Sequence, residues 1–151
     1  CRKLGKRIAC NTAQTPLPGA PAVSKEDIAK TAQESGLPPE TVAHLATIYG
    51  SRYYSVLKYA QKDRRLAAAI SPAALDILAQ VKHAVREEAA LNVADFMLRR
   101  SFLGLNANQG LDAIETVAKE MGALLGWDDA ETQKQAGDYR AAAASGQYYR
   151  E

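Results

Sequence analysis

The sequence predicts an all-α fold, a compact bundle of about six to eight short helices preceded by an extended proline-rich linker. Three observations carry that prediction. Apolar residues recur at spacings of three and four along most of the chain. No segment sustains a period-two alternation with β-branched enrichment, so few or no strands are expected. Glycines, prolines and cap-type residues punctuate the pattern at helix-length intervals.

Residues 1–23 form a basic segment and linker. Thr15-Pro16-Leu17-Pro18-Gly19-Ala20-Pro21 carries three prolines, which lack a backbone donor and bias the preceding residue to extended geometry. The helical domain is expected over 24–146. Ser24, with Asp27 three residues on, caps a helix that runs to about Ser35 and stops at Gly36. Pro38 and Pro39 suit the first turn of a second helix, Glu40 to Tyr49, with Val42, Leu45, Ala46 and Tyr49 on its apolar face. Gly50 and Ser51 punctuate, and a third helix points Tyr54, Val56 and Leu57 inward. Pro72 after Ser71 opens a fourth, through Leu75, Leu78 and Val81. A break near Leu91 is expected because Asn92 with Asp95 three residues later resembles a cap. Asn106 is expected to cap an amphipathic helix carrying Leu111, Ile114, Val117, Ala118, Met121, Leu124 and Leu125, which Gly126 stops. Asp128 with Glu131 caps an alanine-rich last helix that frays near Ser145 and Gly146, leaving 147–151 as a disordered tail.

The composition suits a soluble globular domain able to bury a sizeable core: 47% hydrophobic and 24% charged. The net charge of +2 is unevenly placed. Residues 1–23 hold Arg2, Lys3, Lys6 and Arg7 and no acid, so the rest is a formal −2, without the basic face that nucleic-acid binding requires. Cys1 and Cys10 both fall in the basic segment and read as free thiols of a reducing compartment. No apolar run approaches the roughly 18 residues of a spanning helix, and no signal-peptide core is present. The chain opens on Cys instead of Met, as expected of a piece of a larger protein.

Catalytic and cofactor chemistry finds no foothold. None of the ten glycines forms a GxGxxG or GxxxxGK pattern, the turns that bring backbone amides to a dinucleotide or phosphate. His44 and His83 lie far apart outside any HExxH pattern and read as surface or packing histidines. Asn106-Ala107-Asn108-Gln109-Gly110 hints at a calcium loop. Its glycine falls one position early, however, and Val117 stands where a bidentate Glu belongs. The cysteines have no histidine near them to activate a thiol.

The most distinctive stretch runs from Val85 to Ser101. On a helix, Asp95 and Arg99 are four apart and pair, while Val93, Phe96, Met97 and Leu98 supply an apolar side. One reading is a core helix with a solvated charged face. The other is that Arg99 and Arg100 meet carboxylates or carbonyls of a second domain.

Leu91 to Ser101 resembles the T-L-x-D-x-L-x-R-R-T signature in the C-terminal domain of FAD-dependent glycerol-3-phosphate dehydrogenases. Thr15 to Ala20 is similar to the P-L-P-G segment that leads from the flavin domain of that family. Leu45 to Ser51 is similar to its L-x-x-x-Y-G-S helix end, and Leu124 to Asp128 to its L-G-W-D turn. Ser101 stands where threonine is usual, and Asn92 holds a cap position often taken by threonine. No calcium-binding helical pair follows the last helix, which favours a bacterial form over a mitochondrial one.

The resemblance implies a parent flavoenzyme that moves a hydride from C2 of glycerol 3-phosphate to flavin N5 and releases dihydroxyacetone phosphate. Electrons then pass to a quinone at the membrane, or to oxygen in the related oxidases. It also implies a cytoplasmic enzyme lying peripherally on the inner membrane. FAD, substrate and membrane contacts belong mainly to the flavin domain, so no catalytic, cofactor or metal residue is expected in this chain. Its implied partner is its own flavin domain, not nucleic acid. Glu87, Asp95, Arg99 and Arg100 match family positions and are expected to shape the fold and that interface. The rival reading is a stand-alone helical interaction module that binds a partner helix in a groove.

Overall fold

The structure is a computed structural model, described here for Gly5 and residues 11–17 and 19–147. The expectations for Cys1, Cys10, the basic residues Arg2, Lys3, Lys6 and Arg7, Pro18 and residues 148–151 fall outside the described residues. Seven α-helices follow in order: α1 (Lys25–Ser35), α2 (Pro39–Tyr49), α3 (Tyr53–Lys62), α4 (Leu78–Glu87), α5 (Val93–Arg99), α6 (Ile114–Leu125) and α7 (Asp129–Gln147). Short 3-10 turns occupy Gly50–Arg52, Arg64–Ala67 and Leu103–Leu105. Among the described residues the only β pairing is an isolated antiparallel bridge, Ala69 with Ile77.

Local chemistry explains most boundaries. At α1, the Asp27 amide donates to Ser24 Oγ at 3.0 Å while the Ser24 amide donates to Asp27 Oδ2 at 3.3 Å, a reciprocal capping box. Gly36 closes that helix in the left-handed region at φ 70°. Pro39 opens α2 at the position where a missing N–H costs nothing. Gly126 ends α6 at φ 76°, and the Trp127 amide reaches back to the Gly122 carbonyl at 3.0 Å. Asp128 then caps α7, accepting from the Glu131 amide at 2.7 Å.

Two apolar clusters result, and α4 is the wall between them. The first packs α1–α3 around Val42, Leu45, Tyr53, Val56, Leu57 and Leu66. The second packs α4–α7 around Phe96, Met97, Ile114, Val117, Met121 and Tyr139. Ile77 and Ala79 belong to the first, Val81 and Ala84 to the second, and Leu78 touches both. Arg65 adds a clasp across the molecule, donating to Glu120 Oε2 on α6 at 2.8 Å.

Five expectations need correction. Tyr54 is 46% exposed, and Tyr53 holds the core position, its phenol 2.9 Å from Thr31 Oγ1. The tight Gly50–Arg52 turn sets the phase of α3 so that Tyr53, Val56, Leu57 and Ala60 face inward. The helix expected at Pro72 begins only at Leu78. The chain first doubles back, with Ile70 donating to the Asp76 carbonyl at 2.9 Å and Leu78 to the Ala68 carbonyl at 3.0 Å, so Leu75 stays exposed. Asn106 does not cap α6. It opens a series of turns, and the helix starts at Ile114 with Leu111 exposed outside it. Leu98 is 48% exposed rather than part of the apolar side of α5. The last helix does not fray at Ser145 but runs through Gln147, so that residue is not tail.

Candidate functional site

The four motif stretches singled out by sequence become four joints of the scaffold. The linker and the α2–α3 corner meet directly: the Ser51 amide donates to the Gly19 carbonyl at 3.1 Å. Gly50 adopts φ 55°, ψ −144°, and a Cβ there would lie 2.1 Å from the Gly19 oxygen. Only glycine tolerates both that backbone geometry and that approach.

The α5 segment is built around Asp95. Its amide donates to Asn92 Oδ1 at 2.8 Å, and its carboxylate accepts from the Leu91 amide at 3.2 Å and from the Arg99 guanidinium. One side chain thus satisfies the helix start and an i,i+4 pair. Ser101 closes the other end, its hydroxyl donating to the Phe96 carbonyl at 3.1 Å. That is a use for a hydroxyl residue after the arginine pair. Arg100 turns the opposite way. Its Nη2 donates to the Glu88 carbonyl at 3.1 Å, and its Nε lies 3.6 Å from Glu88 Oε2. This clamps the α4–α5 turn, where Ala89 sits at φ 54°.

The expected residues therefore do not form one cluster. Asp95 and Arg99 are joined, with the Arg99 side chain 66% exposed. Arg100 is tied to Glu88 within the domain. Glu87 faces a cleft between α3 and α4, where its carboxylate accepts from the Tyr59 hydroxyl at 2.8 Å. Close to Arg99 in sequence, Leu91, Leu98, Phe102 and Leu105 are all exposed, Leu105 at 71%. Phe102 packs edge-on against the His44 ring, 5.9 Å between centroids.

Sequence reasoning missed a buried polar seam beside α4. His44 Nε2 lies 3.1 Å from Asp76 Oδ2, and Gln80 Nε2 donates to Asp76 Oδ1 at 2.9 Å. Gln80 Oε1 in turn accepts from the Ile77 amide at 2.8 Å, capping α4 with a side chain from inside the helix. His83 stands edge-on to Tyr49, with Nε2 3.9 Å from Glu88 Oε1. Burial holds the His83 imidazole below its ordinary pKa and pushes the Tyr49 phenol above its own. Both rings pack against aromatic neighbours, His44 against Phe102 and His83 against Tyr49. Among the described residues no group of three or more His, Cys, Asp or Glu could hold a metal ion. No described helix is long and apolar enough to cross a membrane.

Comparison with known proteins settles the family. Residues 10–132 match the model for the C-terminal domain of alpha-glycerophosphate oxidase. This chain belongs to that family. Glycerol-3-phosphate dehydrogenase 2 of Mycobacterium tuberculosis is 31% identical over 107 residues, 70% of this chain and 18% of that protein. Glycerol-3-phosphate dehydrogenase of Synechocystis is 30% identical over 132 residues, 86% of this chain and 24% of that protein. The human mitochondrial glycerol-3-phosphate dehydrogenase is 32% identical over 108 residues, 68% and 15% of the two chains. The chain thus spans less than a quarter of the length of these relatives. No solved structure is significantly similar. All four motif stretches lie inside the matched region, whereas most of α7 lies beyond it.

Proposed function

We propose that this domain is the C-terminal accessory part of a flavoenzyme that oxidises glycerol 3-phosphate to dihydroxyacetone phosphate and passes the electrons to a quinone. The carrying observation is the family match over residues 10–132, together with relatives named glycerol-3-phosphate dehydrogenase in which this region is a minor fraction of the chain. In that reaction the substrate C2–H leaves as hydride and the C2 hydroxyl loses its proton, so that the carbinol becomes a ketone. FAD supplies the acceptor from the preceding domain. The residues described here do not suit FAD, since no glycine-rich turn follows a strand to receive its pyrophosphate. No step of the oxidation is assigned to them.

The domain's own role is to pack on the flavin domain. Leu98, Phe102 and Leu105, exposed apolar side chains close in sequence to the exposed Arg99, suit such a contact. In the full-length enzyme, Arg99→Ala and Leu105→Asp should lower thermal stability and glycerol-3-phosphate:quinone activity together, and Arg100→Ala should lower both by loosening the segment from behind. Unchanged activity and unchanged melting temperature in the Arg99 and Arg100 variants would sink the docking role. A reading frame that starts at Cys1 with no flavin domain before it would sink the larger reading.

A further inference from the structure

The cleft between α3 and α4 has a composition that neither the scaffold nor the docking surface uses. It is an open cleft of about 260 Å³ lined by Arg52, Ser55, Lys58, Tyr59, Lys62, His83 and Glu87. Ser55, Lys58 or Tyr59, and Lys62 follow one another at spacings of three and four along one face of α3, and Arg52 continues the line from the 3-10 turn before it. Three cations face one carboxylate. That carboxylate already accepts from the Tyr59 hydroxyl, and Lys82 stands over the same tyrosine ring, 5.7 Å from its centroid. Among the described residues none of Arg52, Lys58 and Lys62 has an ion-pair partner, whereas Arg65, Arg99, Arg100 and Arg140 each meet a carboxylate. At the back of the cleft is His83, only 4% exposed, whose Nδ1 is buried without a hydrogen-bond partner.

We propose that this cleft binds a small phosphate-bearing anion of the phosphomonoester class. The formal charges of its lining sum to two positive, which matches a phosphomonoester dianion at neutral pH. The donors are of the types that phosphate takes: guanidinium, ammonium and a serine hydroxyl. The cleft between the 71–74 and 106–112 loops offers the opposite chemistry, a single acid, Asp112, already bonded by Ser71 and Asn108. This proposal is independent of the flavoenzyme reading, because it concerns only residues of this domain.

The test uses this 151-residue chain and inorganic phosphate as probe. The chain has two histidines, so a His44→Gln control assigns the imidazole resonances by NMR. Phosphate added at constant ionic strength and pH 7.5 should move the His83 ring signals along a saturable curve, and sulfate should compete. The double variant Lys58→Gln/Lys62→Gln should weaken binding at least about tenfold, the effect of losing one charge-assisted contact, with its melting temperature unchanged in the absence of phosphate. A lipid headgroup offers the same chemistry, so sedimentation with phosphatidate vesicles against phosphatidylcholine vesicles distinguishes the source. Co-pelleting with phosphatidate alone assigns a headgroup, and binding of free phosphate without pelleting assigns a soluble ester. His83 signals that phosphate leaves unmoved, or that it moves equally in the double variant, would overturn the proposal.

Discussion

The motif stretches and the α3–α4 cleft differ in where their polar groups find partners. Asp95 is met by the Leu91 amide and Arg99, Arg100 by Glu88, and Ser101 by the Phe96 carbonyl, all inside the domain. Among the described residues, Arg52, Lys58 and Lys62 in the cleft meet no carboxylate. The difference teaches that a recognisable motif marks what the fold requires of itself. A site for something outside the fold shows instead as unpaired charge, with no motif to announce it.

The sharpest way to break the comparison is at Gly50. If the corner motif is purely backbone geometry, Gly50→Ala must either strain φ 55°, ψ −144° or push the Gly19 carbonyl away from the Ser51 amide. We expect a loss of about 3 kcal/mol or more, or release of residues 19–23 from the body. Calorimetry reads the first outcome and amide exchange at Ser51 the second. A fully stable variant with Ser51 still protected would show that the corner is looser than its geometry.

The arginine pair provides a contrast of smaller size. Arg100 makes a charge-assisted hydrogen bond to the Glu88 carbonyl beside a positive-φ alanine, so Arg100→Ala should cost about 1–2 kcal/mol in this chain. Arg99 is mostly exposed and bonds only Asp95, so Arg99→Ala should cost less than about 0.5 kcal/mol. Denaturant melts of the two variants check the order. Equal losses would mean that the adjacent arginines share one structural role, which their opposite directions argue against. Between these effects falls the Asn92 cap, where Asn92→Ala should cost about 1 kcal/mol.

How far the sequence could be read depended on the range of the forces involved. The Ser24–Asp27 box, the Gly36 and Gly126 stops, the Asn92–Asp95 cap and the Asp128 cap all operate within four residues, and all were legible. Pro72 misled because proline marks a permitted helix start without requiring one. The bridge pairing Ala69 with Ile77 is a longer-range contact that local rules do not see. Tyr54 and Tyr53 were exchanged because a short 3-10 turn shifts helical phase by a fraction of a turn, which spacing alone does not register. Asp95 and Arg99 were found because their pairing is i,i+4. Arg100 with Glu88 and His83 with Tyr49 join residues 12 and 34 positions apart, so nothing in a local window could have united them. The α3 cation stripe was readable as a periodicity, but its neighbour on α4 was not, and only the two together make a cleft.

The smallest effect separates burial from ion pairing at His83. Its imidazole is held below its ordinary value chiefly by burial. Glu88 and Glu87 favour the charged form but do not offset that, and Arg52 opposes it. The unfolded chain titrates this group near the usual value of about 6.5, so between that pH and the lower folded value the unfolded state binds more protons. His83 therefore leaves stability intact above about pH 6.5 and subtracts from it as the pH falls below, the reverse of a histidine gaining an acidic partner. The measurement is the stability of the chain minus that of His83→Gln, followed from pH 7.5 to 5, which removes the contribution of the carboxylates. That difference should move against the wild type as the pH falls, and saturating phosphate should shrink the movement, because an anion in the cleft favours the imidazolium. A difference that moves toward the wild type would mean that Glu88, at 3.9 Å, outweighs burial, and His83 would then belong with the satisfied residues of the scaffold instead of the open site.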